Sequence, residues 1–224
     1  MNSMYNRRKV VENMYSVVLL CAGKGTRTGL SYNKMLYKMN DRTVFEMTLD
    51  IFLKDQRCEQ VIVVTSPKER DIFQELVCDK RIEFVDGGKE RQDSVYQGLQ
   101  KVKASYVFIH DGARPYLKQE SIDALLDCLQ EHKACLLMVP CKDTIKRVVD
   151  GKIVETLVRS ELMQAQTPQA FCSAVIQDAY QKGIEQGYNA TDDAQMVETF
   201  TDEDVYIVMG DYGNIKITTS EDLK

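Results

Sequence analysis

The sequence predicts an α/β fold in which a mostly parallel sheet carries helices on both faces. Short apolar runs alternate with segments whose apolar residues recur every three to four positions, a pattern typical of strand–helix repeats. Polar segments that contain Gly or Pro follow several of the apolar runs, as expected where strands end. The chain of 224 residues has the length of one such domain.

The elements can be placed in order along the first part of the chain. The continuous apolar run Val17–Leu20 indicates a strand that is covered on both faces. Val95, Leu99 and Val102 recur on one face of a helix. In order, we predict strand Ser16–Cys21, helix Thr43–Lys54, strand Gln60–Thr65, helix Lys68–Cys78, strand Arg81–Val85, helix Arg91–Lys103, strand Tyr106–His110, helix Gln119–His132 and strand Cys135–Pro140.

Residues 141–160 predict a protruding β-hairpin. Asp150-Gly151 lies between β-branched runs, which is a strong short-range signal for a hairpin turn. A lone hairpin is marginally stable, so we expect this one to pack on another surface, most economically on a second copy of itself. Its apolar residues would lie on both faces: Val148, Ile153 and Leu157 on one, and Ile145, Val149, Val154 and Val158 on the other.

A two-residue turn would also fix the pairing of the two hairpin strands. Lys146 would face Glu155, and Thr144 would face Leu157. Thr144 and Arg159 would then point to the same face, because side chains alternate along a strand.

Composition narrows the class of protein. The net charge of −5 argues against a general nucleic-acid surface. No apolar run approaches the ~20 residues of a membrane span, and the N-terminus lacks the apolar core of a signal peptide. Seven scattered cysteines without a C-x-x-C pair indicate reduced thiols and a cytoplasmic location. We expect the polar, basic residues 1–13 to be a disordered extension, and residues 14–224 to form a single domain.

A glycine loop follows the first strand and carries two cations. Gly23 and Gly25 let the backbone approach a ligand, and their N–H groups can point at an anion. Arg27 and Lys34 add full positive charge beside them. This combination indicates binding of a nucleoside triphosphate and stabilisation of charge during phosphoryl transfer.

Two other kinds of glycine loop do not fit. A dinucleotide-binding loop needs a third glycine where this chain has Thr28. A P-loop needs a glycine where this chain has Val18, and a hydroxyl residue where Gly25 follows Lys24. An ordinary strand-to-helix turn remains the alternative at this point.

Further polar motifs follow the later strands. Gly88 allows close backbone approach, and Ser94 offers a hydroxyl to a base edge. Asp111 can hold Mg²⁺ or a ribose hydroxyl, and Arg114 can form a fork with a phosphate. The alternative for these last two residues is an internal ion pair, and His110 beside them suits a structural hydrogen-bonding role.

Three motifs lie in the last third of the chain. Gln166-Thr167-Pro168-Gln169 places side-chain donors beside a turn stiffened by proline. Thr191-Asp192-Asp193 is typical of a helix N-cap followed by acidic residues. Asn214–Thr218 predicts a short strand with Lys216 inside it, either facing solvent or projecting into a phosphate pocket.

Taken in order, these motifs resemble those of the 2-C-methyl-D-erythritol 4-phosphate cytidylyltransferase family. Each motif alone is weak, but eight of them in one order are highly specific. The resemblance runs from Tyr15 to Leu223 through Ala-Gly-x-Gly-x-Arg, Asn-Lys, Gly-Gly-x-x-Arg-x-x-Ser-Val, His-Asp-Gly-Ala-Arg-Pro, Asp-Thr-Ile-Lys, Gln-Thr-Pro-Gln, Thr-Asp-Asp-Ala and Asn-Ile-Lys-Ile-Thr-Thr.

The resemblance implies a Rossmann-like three-layer nucleotidyltransferase fold and a homodimer joined by the β-hairpin arm. The implied reaction transfers CMP from CTP to methylerythritol phosphate, with Mg²⁺ or another divalent cation, in non-mevalonate isoprenoid synthesis. By family position, the catalytic residues are Arg27, Lys34 and Lys216; the CTP-binding residues are Ala22, Gly23, Gly25, Gly88, Ser94 and Asp111, the last also binding metal; and the polyol phosphate contacts Arg114, Thr144, Arg159 and Thr167.

Related functions remain as alternatives. Ribitol-5-phosphate cytidylyltransferases typically read His-Asp-Ala-Val-Arg-Pro, whereas this chain has Gly112-Ala113, which favours the erythritol branch. A nucleotide-binding regulator without turnover is a second alternative, which the presence of all three cations, Arg27, Lys34 and Lys216, disfavours. The chain also departs from the family pattern: many members have Pro-Lys-Gln at Asn33-Lys34-Met35, and Cys21 replaces a common alanine.

Overall fold

The computed structural model describes residues 14–23 and 28–223. The expected extension, residues 1–13, lies outside the described residues. So do Gly25 and Arg27, which the sequence places in the nucleotide site. Within the described part of the chain, no helix has the length and apolar character to cross a membrane.

A central sheet of seven strands organises the protein, in the order β11-β7-β10-β6-β1-β4-β5. All neighbours pair in parallel except β10, which runs antiparallel to both β6 and β7. The sheet strands are β1 Tyr15–Leu20, β4 Cys58–Thr65, β5 Ile82–Asp86, β6 Tyr106–Asp111, β7 Ala134–Pro140, β10 Met163–Cys172 and β11 Tyr206–Met209; two small antiparallel pairs are β2 Lys38–Met39 with β3 Arg42–Thr43, and β8 Lys146–Val149 with β9 Lys152–Thr156.

Helices cover both faces of the sheet, as the sequence predicts. Alternate residues of β1 separate the two cores: Val17 belongs to one apolar cluster and Val18 to the other. Helices α1, α2 and α4 pack into the first cluster, and α3, α5 and α6 into the second. Their bounds are α1 Val44–Lys54, α2 Arg70–Glu75, α3 Arg91–Leu99, α4 Gln119–Cys128, α5 Ser173–Glu185 and α6 Asp193–Phe200.

The predicted strands and helices of the first 140 residues all form, with shifted ends. Thr43, predicted as helical, is the N-cap of α1 and shares a capping box with Glu46. The three later helices end earlier than predicted; α3, for example, stops at Leu99. Apolar periodicity continues into the turns that follow a helix, so it overextends the predicted C-terminal end.

Two predictions in the last third of the chain are wrong. Gln166–Gln169 is not a turn but part of β10, whose pairing with β7 is interrupted between Ala165 and Gln169. Residues 214–218 do not form a strand. This segment is an irregular loop held to the end of β6 by the backbone bond from Ile217 N to Ala113 O, 2.8 Å.

The hairpin forms, but the predicted pairing of Lys146 with Glu155 is wrong. Next to the turn, Val149 pairs with Lys152 and Val148 with Ile153, as a two-residue turn requires. The register then shifts, so that Glu155 lies opposite Arg147 and forms an ion pair with it at 3.0 Å. One extra residue on β9 makes this bulge, and it also breaks the predicted pairing of Thr144 with Leu157, because Leu157 N bonds to the carbonyl of Ile145.

Candidate active site

A cavity of about 900 Å³ lies at the carboxyl ends of β1, β4, β5 and β6. Its walls come from the segments that follow these strands, together with residues 30–35 and Lys216. Open α/β sheets bind their ligands at this edge. The predicted functional residues that line the cavity are Ala22, Gly23, Lys34, Gly88, Ser94, Asp111 and Lys216.

The second glycine motif is held tightly at the start of α3. A Cβ on Gly88 would lie 2.1 Å from the Cβ of Asp93, so only glycine fits there. The backbone N–H of Gly88 donates to Ser94 Oγ at 3.1 Å, and this hydroxyl donates to the carbonyl of Glu90 at 3.1 Å. Since the single hydrogen of Ser94 is used within the protein, its remaining capacity towards a ligand is that of an acceptor.

Two lysines from distant segments meet at the cavity. Lys34 is buried in the short 3-10 helix Lys34–Leu36, and its Nζ donates to the carbonyl of Ile217 at 2.5 Å. Lys216 precedes Ile217, whose backbone N–H is bonded to Ala113 at the end of β6. The loop bearing Lys216 is therefore fixed both to β6 and to Lys34.

Asp111 lies at the centre of a cluster of positive charges. Its carboxylate is 2.8 Å from Lys216 Nζ, 3.6 Å from Arg91 Nε and 3.7 Å from Arg114 Nε. Burial alone would raise the pKa of this carboxyl, but the charges of Arg91, Lys216 and Arg114 hold it well below its usual range. The ion pair that was the alternative for Asp111 and Arg114 does form, as one of three around the carboxylate.

Arg91 is the cavity residue that sequence reasoning missed. Its guanidinium forms two hydrogen bonds with the carboxylate of Asp193, at 2.9 and 2.7 Å. Asp193 is completely buried and also accepts from the hydroxyl of Tyr180 at 2.6 Å. The N-cap of α6 is the neighbouring Asp192, one residue later than the Thr191 that the sequence pattern predicts, whereas Asp193 fixes Arg91 in the cavity wall. Arg91 is the arginine of the Gly-Gly-x-x-Arg motif, so this motif could have indicated that it belongs to the site.

His110 and Thr167 lie behind Asp111 in the protein interior. The backbone N–H of Asp111 donates to Thr167 Oγ1 at 3.0 Å. His110 Nε2 is 3.2 Å from the carbonyl of Arg114, and Nδ1 is 3.1 Å from Thr167 Oγ1. A carbonyl can only accept, so the proton of the neutral ring is on Nε2 and Thr167 donates to Nδ1. Burial lowers the pKa of His110 to about 4, so the imidazole is neutral at pH 7.

The remaining predicted substrate residues do not line this cavity. Arg114 donates from Nη1 to the carbonyl of Asn214 at 2.7 Å, which fixes the loop before Lys216. Thr144 and Arg159 are exposed on the hairpin, and Arg159 donates to the carbonyl of Lys142 at 3.1 Å. Within this one chain, the structure therefore does not bring Thr144 and Arg159 to the residues around Asp111.

The donor set of the cavity suits one kind of metal site. Among residues 14–23 and 28–223, no group of three or more His, Cys, Asp or Glu side chains is arranged to hold an ion. Mg²⁺, however, commonly takes one or two carboxylates and completes its shell with phosphate oxygens and water. The carboxylate of Asp111 at the cavity wall fits that kind of site.

Comparison with known proteins decides the family. The family model for IspD, 2-C-methyl-D-erythritol 4-phosphate cytidylyltransferase, matches residues 15–224. The chain belongs to this family. Curated members include the enzyme of Bacillus cytotoxicus, 42% identical over 94% of this chain and 95% of the relative. That of Clostridioides difficile is 40% identical over 94% of this chain and 91% of the relative.

Solved structures of the cytidylyltransferase family share the fold. A 4-diphosphocytidyl-2C-methyl-D-erythritol synthase from Anaerococcus prevotii superposes with a TM-score of 0.86 at 32% identity, covering 96% of this chain and 95% of that one. The cytidylyltransferase of Francisella tularensis gives a TM-score of 0.81 at 28% identity, covering 94% and 96%. The predicted α/β nucleotidyltransferase fold is therefore confirmed, and the protein is a nucleotidyltransferase.

Proposed function

We propose that the cavity beside Asp111 is where the protein transfers CMP from CTP to 2-C-methyl-D-erythritol 4-phosphate. The products are 4-CDP-2-C-methyl-D-erythritol and pyrophosphate. The observation that carries the assignment is the convergence of Lys34, Lys216 and Asp111 beside two glycine segments at the carboxyl edge of the sheet. We place the reaction in a single domain, residues 14–224.

The cytidine lies between the two glycine segments in this proposal. The backbone from Ala22 to Gly25 and that of Gly88 approach the nucleotide closely, because the glycines carry no side chain. Ser94 faces the base with a free acceptor lone pair, which suits the exocyclic amino group of cytosine. Asp111 lies near the ribose and the phosphates.

The triphosphate and the incoming phosphate monoester repel each other, so positive charge has to bring them together. Lys34 and Lys216 supply it in the cavity, and Arg27 adds a third cation from the glycine loop. Preorganised charge of this kind also stabilises the crowded transition state at phosphorus. Asp111 and the carbonyl of Ile217 hold the two lysine head groups before substrate arrives.

The chemical step is an in-line displacement. An oxygen of the substrate phosphate forms a bond to the α-phosphorus of CTP as the bond to pyrophosphate breaks. The attacking oxygen is already ionised, so no general base is needed. This agrees with the burial of His110, whose ring nitrogens are both bonded within the protein.

A divalent cation, Mg²⁺ in the first instance, completes the site. Asp111 would hold it together with the phosphates of CTP. When bound, the ion withdraws negative charge from the triphosphate and orients it.

We further propose a homodimer in which the β8–β9 hairpin reaches the partner subunit. Five large apolar side chains of the hairpin are exposed in the single chain, with Ile153 at 65% and Val158 at 57%. Several exposed apolar side chains on one protruding element indicate an interaction site. Thr144 and Arg159 would then contact the polyol phosphate in the partner's cavity. Arg114 and Thr167, which the sequence also assigns to this phosphate, lie behind the cavity wall and would act by holding the Asn214 loop and Asp111 in place. We assign the protein to the cytoplasm, because its cysteines are all free thiols.

A pyrophosphate-release assay tests this function. We expect release that depends on CTP and Mg²⁺, is rapid with 2-C-methyl-D-erythritol 4-phosphate and is much slower with ribitol 5-phosphate. A clear preference for ribitol 5-phosphate would contradict the substrate assignment. CTP binding without release for either polyol phosphate would instead favour a nucleotide-binding regulator.

A further inference from the structure

Asn33, the residue before Lys34, forms a buried junction that the reaction described above does not use. Its side chain is 3% exposed. Its Oδ1 accepts from the backbone N–H of Met35 at 3.0 Å. Its Nδ2 donates both hydrogens, one to the carbonyl of Cys21 at 2.9 Å and one to Glu69 Oε2 at 3.0 Å. Both donors and one acceptor site of the amide are therefore occupied.

These three bonds tie together three walls of the cavity. Cys21 directly follows β1 and leads into the first glycine segment. Glu69 is the N-cap of α2 and also lines the cavity. Met35 lies in the 3-10 helix that carries Lys34, and Asn33 is the N-cap of that helix. The amide of one residue thus links the helix of Lys34 to Cys21 and to Glu69.

We propose that Asn33 is a positioning residue for Lys34, with Glu69 as its partner. The inference rests on the role of Lys34 in the proposed function. An amide is required because the site presents two acceptors and one donor. An aspartate would place a negative oxygen against the carbonyl of Cys21 and the carboxylate of Glu69, which is repulsive in a buried setting. A displacement of the ammonium of about 1 Å costs on the order of 10²-fold in rate.

The first test exchanges donor and acceptor across the junction. Asn33→Asp should lower kcat/KM for pyrophosphate release about 10²-fold. The double variant Asn33→Asp/Glu69→Gln should have a kcat/KM about tenfold higher than that of Asn33→Asp. The new amide at position 69 can donate to the new carboxylate at position 33, which reverses the direction of the native hydrogen bond. Asn189→Asp makes the same change of charge at an exposed position and serves as the matched control. Absence of recovery in the double variant would contradict a direct Asn33–Glu69 link.

The second test asks whether Asn33 acts through Lys34. Lys34→Ala alone should lower kcat/KM about 10²–10⁴-fold. In the Lys34→Ala background, Asn33→Asp should cost no more than about threefold, because the group that it positions is absent. Losses that multiply instead would overturn the inference and leave Asn33 as a general structural residue. If Lys34→Ala retains wild-type activity, the proposed role of Lys34 is wrong, which is a separate outcome.

Folding of each variant is checked by thermal unfolding. If Asn33→Asp does not fold, Glu69→Ala removes the same hydrogen bond from its other end and leaves Asn33 in place. Glu69→Ala is then measured with and without Lys34→Ala, and the same non-additivity is expected. Full additivity in that pair would again overturn the inference.

Discussion

The ammonium group of Lys216 lies 2.8 Å from Oδ2 of Asp111 at the wall of the cavity. The aspartate side chain is only 11% exposed, and two arginines lie near the same carboxylate. A buried carboxylate without a positive partner would destabilise the fold, and cations this close together would repel one another without a negative charge between them. Asp111 therefore holds Lys216 where the phosphates of a nucleotide would enter.

Removal of that ammonium group should impair catalysis far more than folding. We expect Lys216→Met to lower kcat/KM about 10²–10³-fold, the range for loss of one preorganised donor at a reacting phosphate or oxyanion. Asp111 keeps Arg91 and Arg114 as partners, so the fold should persist. The measurement is pyrophosphate release, with thermal unfolding alongside.

Lys118 offers the matched control for this variant. It also pairs with an aspartate, Asp211, but its side chain is 62% exposed and lies outside the cavity. Surface pairs contribute about 0–1 kcal/mol, so Lys118→Met should leave activity within about twofold. Equal losses for the two lysine variants would contradict a special role for Lys216.

His110 should make the protein less stable in mild acid. Burial lowers the pKa of its ring to about 4 in the folded protein, from 6.5 when unfolded. Between these pH values the unfolded state binds more protons than the folded state. The contribution of His110 to the free energy of unfolding is therefore fully present above pH 6.5 and is lost as the pH falls towards 4. The loss between pH 7 and pH 5 should be about 2 kcal/mol, measured by urea unfolding at each pH.

The only other histidine in the sequence, His132, provides the comparison. His110→Asn should flatten the pH dependence, although it lowers stability at pH 7 because the bonds to Thr167 and Arg114 are altered. His132→Asn should leave the dependence of the unfolding free energy on pH unchanged, because this dependence comes from the lowered pKa of the buried His110 ring. A steep slope that survives in His110→Asn would assign the acid sensitivity to carboxylates instead.

Gly112 should not tolerate even a methyl group. A Cβ there would lie 2.6 Å from Met35 Cε, 2.8 Å from Cys21 Sγ and 2.9 Å from the carbonyl of Leu20. Gly112→Ala should therefore cost about 1–3 kcal/mol, the usual range for overpacking. In a Cys21→Ala background the cost should fall by at least about 0.5 kcal/mol, because the sulfur is gone. Identical costs in the two backgrounds, measured by urea unfolding, would show that Cys21 does not contribute to the clash.

The first half of the fold could be predicted from the sequence because each element there has its own local pattern. The apolar run Val17–Leu20 fills both cores alternately, and α1 begins at the Thr43 capping box. Strand β10 could not be predicted in this way. Gln166 and Gln169 are polar and buried, and their amides bond to Asp211 and Asp192, residues remote in sequence.

The candidate site could also be predicted only in part. Glycine, lysine and aspartate motifs that follow strands could be assigned to one edge of the sheet, because the carboxyl ends of parallel strands meet there. The role of Arg91 could not, because it depends on Asp193, which is 102 residues away. The contacts of Asn33 could not be assigned either, although the Asn-Lys motif contains this residue, because its partners Cys21 and Glu69 come together only in the fold.

The hairpin should act in the partner's site, and mixed dimers can show it. The sequence and the exposed apolar residues of β8 and β9 both favour a second copy as the surface on which the hairpin packs. Lys34→Ala damages the cavity of a subunit, whereas Arg159→Ala damages its arm. Each homodimer should be nearly inactive, because both of its sites lack one group.

A mixed dimer separates the two kinds of damage if the arm acts in trans. One site then combines the altered cavity with the altered arm, and the other combines an intact cavity with an intact arm. Random reassembly of equal amounts makes about half of the dimers mixed, so activity should return to about a quarter of wild type. The two variants are dissociated together, reassembled and assayed for pyrophosphate release, with exchange verified by a tag on one of them. If exchange occurs and activity does not return, Arg159 serves its own subunit or no site.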